Sequence, residues 1–445
     1  MMEDKEKLSL FSLTMIVISL IIGMGIFKTP SFIAAKSGTE TIFFTAWIVG
    51  GIISLFGALT YAEIGQRLPA IGGYYKIFAH CYHPSVGFTV NILILISNAA
   101  SMGVVTLIGA DYVSDLLYGK PSGALFNVLV ASSSILLFYG VNLLGLRTSS
   151  RTQNFLMLIK IALVLLLIST VFTGIRVEPH GYNDGIVYNA ENHSTAFLLI
   201  VSLVAVFFTY GGYQQTVNFG GEIKSAKTMH RGILFGILIV LALYLSINYA
   251  YVEVIGYEKM KNANAIGALL FEAWFGKIGA KVFDLAMVLS VLAYVNVILL
   301  SNPRVMFAMS EDGMLPKIFS FRNSKTGALV PSLTAYAIIA ILITFLGKGV
   351  DDVLSLSMFL DCIGMATSAS ALFILRKRNE NNAAVTSGFV TKILPVLTAL
   401  FVLTYFFVAT AVVIDKPFAA LTGTVLLALF VAVYFIFHKK NKQTT

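Results

Sequence analysis

Lys160 stands in the middle of an apolar run, and no Asp or Glu lies between residues 146 and 176 to pair with it. An ammonium at that depth faces the interior of a membrane bundle and marks a pathway or a structural pairing. The structural reading is a pairing with an unwound backbone carbonyl. Two glycine pairs form a second constellation: Gly23 and Gly25 within Ile21, Ile22, Gly23, Met24, Gly25, Ile26, and Gly211 and Gly212 after Phe207, Phe208, Thr209, Tyr210. Glycine weakens a helix by about 1 kcal/mol per residue. A break at such a pair frees N–H groups on one side and carbonyls on the other. Free N–H groups at a positive dipole end suit a carboxylate, and free carbonyls suit an ammonium. A single pair is equally what a close helix contact uses. Two pairs at matching places favour breaks.

Acids inside apolar stretches are few. Asp111 and Asp284 fall near helix ends and read as solvated. Asp361 lies deeper, about 13 Å into its helix at 1.5 Å per residue. It either faces the pathway and helps carry a proton or bonds a neighbouring helix, and both readings stay open. Glu63 and Glu222 lie at helix ends beside Arg67 and Lys224, positions suited to salt bridges that close a gate. Cys81 and Cys362 lie in different environments and do not suggest a disulfide. The six histidines are scattered, with no CxxC or Cys/His cluster, so neither a metal nor a cofactor is expected.

The elements that carry these residues are membrane spans. Hydrophobic residues make up 57% of the 445 and charged residues 12%. A soluble domain has about a quarter charged. The apolar residues come in runs of about 20, the length that crosses a hydrocarbon core. The expected helices are twelve, over 9–35, 41–62, 84–117, 124–144, 152–174, 194–219, 231–255, 271–310, 331–346, 353–376, 391–414 and 417–438. They form a single domain over 1–445: helices 1–5 (about 9–174), helices 6–10 (about 194–376) and helices 11–12 (about 391–438). The loops on the side of the two termini hold twice as many Lys and Arg as those on the other. Both termini are therefore expected in the cytoplasm, with the protein in the plasma (inner) membrane. The net charge of +9 is read as this loop asymmetry and not as a nucleic-acid surface. The sequon Asn192-His193-Ser194 is read as fortuitous.

The two glycine pairs each open a five-helix block. Helices 1–5 and 6–10 then look like inverted repeats whose first helices break at the bilayer midplane, the usual place of a transporter binding site. At these residues the chain resembles the amino acid–polyamine–organocation superfamily, most closely its L-amino acid transporter branch. Gly23-Met24-Gly25-Ile26-Phe27 resembles the family's G-S-G-I-F, and Tyr61-Ala62-Glu63 with Pro69 to Tyr75 resembles Y-A-E-L…P-x-x-G-G-x-Y. Gln153 to Lys160 is similar to Q-x6-K, and Gly221-Glu222-Ile223-Lys224 to G-E-E-I-K. Tyr244, Asn248 and Tyr251 follow Y-x-x-x-N-x-x-Y, and Arg304 through Pro316 resembles R-x6-R-D-G-x-L-P. Met24 replaces a frequent Ser, and Tyr213 a frequent Trp.

The resemblance implies an all-α membrane fold of the LeuT type, five plus five helices with two more at the C-terminal end. It implies substrate binding at Ile21, Ile22, Gly23, Met24, Gly25, Ile26, Phe207, Tyr210 and Gly211. Lys160 would substitute for a sodium ion; Tyr251, and Asp361 on the strength of its depth alone, are further candidate coupling residues. Sodium-independent transport of a small or medium neutral L-amino acid across a lipid bilayer follows, by exchange or with a coupling proton. A partner subunit is left open. The helix 3 and helix 8 segments 97–106 and 294–302 carry no charged side chain to hold a cationic one. A cationic amino acid or polyamine transporter is the alternative. An integral-membrane transferase is remote, for want of a paired acid/base cluster, and no channel filter is visible.

Overall fold

The computed structural model describes residues 7–177, 194–261, 263, 266–346, 350–381 and 389–441. Lys5, His180, Lys348, Lys442 and the sequon residues Asn192 and His193 lie outside them. Sixteen α-helices follow one another among the described residues: α1 (Leu10–Ile21), α2 (Thr29–Ser37), α3 (Glu40–Arg67), α4 (Gly73–Cys81), α5 (Pro84–Tyr118), α6 (Ala124–Leu143), α7 (Leu146–Ser169), α8 (Thr195–Tyr210), α9 (Ala226–Ile255), α10 (Tyr257–Met260), α11 (Ile266–Phe275), α12 (Gly279–Glu311), α13 (Val330–Leu346), α14 (Val350–Lys377), α15 (Phe389–Asp415) and α16 (Pro417–Asn441). Side-chain caps start several of them: Ser9, Thr39, Ser194 and Ser225 each accept from a backbone N–H of the first turn. Such caps satisfy donors that a helix start leaves orphaned. Only isolated bridges, Leu8 with Ile223 and Ile71 with Phe219, depart from helix and loop among the described residues.

Ten of the described helices are long and apolar enough to cross a membrane. Their outward faces show why a bilayer is required. Leu129, Leu136 and Leu137 on α6, Leu403, Phe406 and Phe407 on α15, and Leu421 and Leu429 on α16 are all exposed. In water such a girdle would cost about 25 cal/mol per Å², whereas lipid tails are its natural solvent. The protein is an all-helical, multi-pass membrane protein.

The two apolar segments expected to break at their glycine pairs are interrupted there. The first helix stops at Ile21, passes through extended Ile22, and resumes as a 3₁₀ turn at Gly25–Phe27 before α2. The sixth stops at Tyr210, and after Gly211 and Gly212 continues only as 3₁₀ turns at Tyr213–Asn218 and Gly220–Glu222. Gly212 has φ +108°, and a Cβ there would stand 2.1 Å from the Leu20 carbonyl oxygen. The two breaks touch backbone to backbone, which a side chain would prevent.

Three expectations need correction. The eighth helix is two, α11 and α12, separated by a turn in which Gly276 takes φ +58°. The fifth starts at Leu146 and not at 152, because Gly145, in a positive-φ conformation, ends the preceding loop. Lys160 is therefore deeper in its helix than its distance from Thr152 suggests. The loop after α3 contains α4, whose Tyr74, Tyr75 and Phe78 are buried. α1 lies in the middle, packed on α9, α7 and α12; α3 backs α9 and α8, while α5 packs on α12, α13 and α14.

Candidate functional site

A cavity of about 340 Å³ opens beside the two breaks. Its wall includes Ile21, Gly23, Met24 and Gly25 from the first break, and Phe207, Phe208, Thr209, Gly211 and Gly212 from the second. α5 adds Asn98, Ser101 and Val105, α12 adds Tyr294 and Ile298, and α14 adds Ser357, Asp361, Cys362 and Met365. Tyr405 and Val408 of α15 complete one side.

The breaks leave polar backbone in this wall. The N–H groups of Met24, Gly25 and Ile26 have no hydrogen-bond partner among the described residues, since the 3₁₀ turn pairs only from Phe27 onward, to the Met24 carbonyl at 3.1 Å. Three adjacent donors at a helical N-terminus make a seat for an anion. On the other side of the break, carbonyls are shared. Tyr244 brings its hydroxyl within 3.2 Å of the Ile21 carbonyl and 3.3 Å of the Thr209 carbonyl, bridging the two interrupted helices. Lys160, buried at 1% exposure, donates to the Ile22 carbonyl at 2.8 Å and the Ser290 carbonyl at 3.3 Å. Its charge is held by backbone alone, between α1, α7 and α12.

The residues singled out in the sequence divide in two. Ile21, Gly23, Met24, Gly25, Phe207, Gly211 and Asp361 come together on the cavity wall. Ile22, Ile26, Tyr210, Lys160 and Tyr251 lie behind it, all buried. Tyr210 packs its ring against Trp47 and Tyr244. Tyr213, where the resemblance leads one to expect Trp, is buried against Tyr61. Asp361 faces the cavity and has no ion pair among the described residues; Asp111 is exposed and accepts from Asn127 at 2.6 Å, and Asp284 is half-buried.

Sequence reasoning passed over Ser357 and Tyr405, and reached Asn98 only as part of the 97–106 segment. Asn98 donates to Asn302 at 2.8 Å, Ser97 donates to Ser357 at 2.6 Å, and Tyr405 packs on Phe207 with ring centroids 5.7 Å apart. Small polar residues and aromatics are common in spans, and nothing in their spacing marks these.

On the cavity wall, Lys28 is exposed and Thr29 half-buried. Away from the cavity wall, ion pairs on two buried carboxylates tie the helices together. Glu63 binds Arg67 at 2.8 Å and Arg376 at 2.5 Å; Glu222 binds Arg304 at 2.5 Å and Arg322 at 3.2 Å. Glu222 therefore pairs with α12 and the loop after it. Its sequence neighbour Lys224 is exposed. The Leu8 N–H donates to the Glu222 carbonyl at 2.8 Å, so the residues just before α1 are tied to the same cluster.

The chain matches the amino acid permease family over residues 8–437. It is 29% identical over 401 residues to the serine/threonine exchanger SteT of Bacillus subtilis, covering 88% of each chain. It is 25% identical to the human cystine/glutamate transporter, covering 97% of this chain and 85% of the other. It is 27% identical to the human large neutral amino acids transporter small subunit 2, covering 74% of this chain and 62% of the other. With a family match across nearly its whole length, the chain belongs to the amino acid permease family of the amino acid–polyamine–organocation superfamily, a family of transporters and not of enzymes.

Proposed function

We propose that the protein carries small or medium neutral L-amino acids across the plasma membrane without sodium, by alternating access. The observation that carries this reading is the row of unpaired N–H groups at Met24, Gly25 and Ile26 among the described residues, the first two of which line the cavity. A substrate carboxylate satisfies them. The carbonyls at the end of α8, by Phe207 and Phe208 on the cavity wall, take the ammonium. An amino acid is thus bound by backbone at both charges, and neither enters the bundle unpaired. The Lys160 ammonium already serves the Ile22 carbonyl, where a coupling ion would otherwise sit. Serine/threonine exchange and large neutral amino acid transport, named for two relatives, support this substrate class.

The finer architecture goes with this reading. Twelve spans arise when α1 with α2 counts as one broken helix, and α13 joins the ten long ones. α1–α7 and α8–α14 then form the two inverted repeats, with both termini in the cytoplasm. The exposed Lys28 marks the outer mouth, and the Glu63 and Glu222 ion pairs close the inner gate.

One observation favours the second reading, a cationic amino acid or polyamine. Asp361 faces the cavity with no ion pair among the described residues. Competition against labelled L-serine uptake into proteoliposomes separates the two. Alanine, threonine and leucine should compete and decarboxylated amines should not, because an amine leaves the N–H row unpaired. If arginine or putrescine competes best, Asp361 is the counter-ion and the neutral assignment is wrong.

A further inference from the structure

Gln153 opens the stretch that ends at Lys160, and nothing in the binding site uses it. It is fully buried, away from the cavity wall, two helical turns from Lys160 on the same face of α7. Its amide is nevertheless paired at both ends. Gln153 Nε2 donates to Ser19 Oγ of α1 at 2.5 Å, and Asn296 Nδ2 of α12 donates to Gln153 Oε1 at 2.7 Å. Asn142 Nδ2 of α6 then donates to Asn296 Oδ1 at 2.9 Å. Ser19 Oγ lies 3.5 Å from the Ala293 carbonyl as its own acceptor. Four buried polar side chains from four helices therefore form one connected chain of bonds.

The chain has a direction. Asn142, Gln153 and Asn296 tie α6, α7 and α12 to one another. Ser19 is the member on α1, one turn before the break. α1 is also the element whose start is tied, through Leu8 and Glu222, to the ion-pair cluster at the proposed inner gate. In the alternating-access reading the α1 segment leaves its neighbours to expose the cavity at that end; its side-chain bonds to α7 are the fully buried Ser19–Gln153 contact and, near the start of α1, Asn154 Nδ2 donating to Ser12 Oγ at 3.0 Å. Breaking the Ser19–Gln153 bond inside the bundle strands the Gln153 N–H until water reaches it.

We propose that Gln153 is a positioning residue that latches α1 to the α6–α7–α12 frame through Ser19, and that releasing this bond is part of the step that opens the closed end. The latch rests on the alternating-access reading, but its test needs no transported substrate. Val105 lines the cavity and is half-buried. Val105→Cys, in a background with Cys81→Ser and Cys362→Ser, gives a single thiol whose labelling by a membrane-impermeant reagent reports access from the Lys28 side. Ser19→Ala removes one hydroxyl and leaves the Gln153–Asn296–Asn142 bonds in place. It should lower the ratio of the labelling rate from the Lys28 side to that from the opposite side about fivefold, the worth of one net hydrogen bond. It should speed labelling from the opposite side. Gln153→Ala should act in the same direction, and Ser19→Thr, which keeps the hydroxyl, should restore the original rates. Two results overturn the latch: inserted Ser19→Ala protein labelled at the original rate from both sides, or Ser19→Thr indistinguishable from Ser19→Ala. A latch failure with serine uptake intact leaves the transport reading standing, and absent uptake with shifted labelling does the reverse.

Discussion

Replacing Lys160 by Met keeps an unbranched side chain of similar length and removes the donors. Two carbonyls lose the ammonium, and they do not lose equally. Ser290 lies inside α12, whose own hydrogen-bond ladder continues to serve its carbonyl. Ile22 follows the last residue of α1, and Lys160 is the donor that its carbonyl has. A buried acceptor left unpaired costs about 1–3 kcal/mol, and loss of a charged donor belongs to the upper part of that range. About 2 kcal/mol is about thirtyfold in an equilibrium. The cost falls on the break that forms the anion seat, so it acts on substrate binding before it acts on the fold. Lys160→Met should therefore insert and purify as a monodisperse protein, while serine uptake into proteoliposomes falls at least about tenfold. Lys160→Ala should do the same. Near-normal uptake by Lys160→Met would refute the reasoning, because the break would then keep its geometry without the cation.

Three further outcomes follow. Replacing sodium by choline in the uptake buffer should leave the rate unchanged, and a tenfold drop would show an ion site that Lys160 does not fill. Gly212→Ala should abolish uptake, since its Cβ would overlap the Leu20 carbonyl at a backbone angle of φ +108°, whereas Gly123→Ala, with nothing within 4 Å and φ −69°, should be silent. Equal activity of the two variants, measured as uptake per inserted protein, would remove the close contact of the breaks from the account. Asp361→Asn should keep amino acid exchange but flatten its dependence on buffer pH; an unchanged pH profile would take Asp361 out of coupling.

The sequence shows the breaks because glycine pairs in mid-membrane are a local signal, and local signals survive in one dimension. Lys160 is legible for the same reason: a lone cation in an apolar run needs no partner list to be noticed. What fails is rotation and distance. The depth of Asp361 can be counted, but whether it faces the cavity depends on how α14 is turned against α5, α15 and α16, and the linear order does not contain that. Glu222 shows the same limit. Its sequence neighbour Lys224 is a natural guess, yet the partners that reach it, Arg304 and Arg322, are supplied by α12 and the loop after it, packing across the bundle. The division of α11 from α12 is hidden because Phe275, Gly276 and Ile278 are apolar enough to continue a span, and only the positive φ of Gly276 ends the helix. Carbonyls expected to stand free at Ile21 and Ile22 already hold Tyr244 and Lys160, which come from helices that sequence reasoning had placed but not packed.

Uptake of labelled L-serine by the purified protein in liposomes, with and without an unlabelled neutral amino acid inside, tests the central claim most directly. The account predicts sodium-independent uptake that competing neutral L-amino acids suppress and the corresponding amines do not. Specific binding without flux, or flux carried only by cationic substrates, would contradict it.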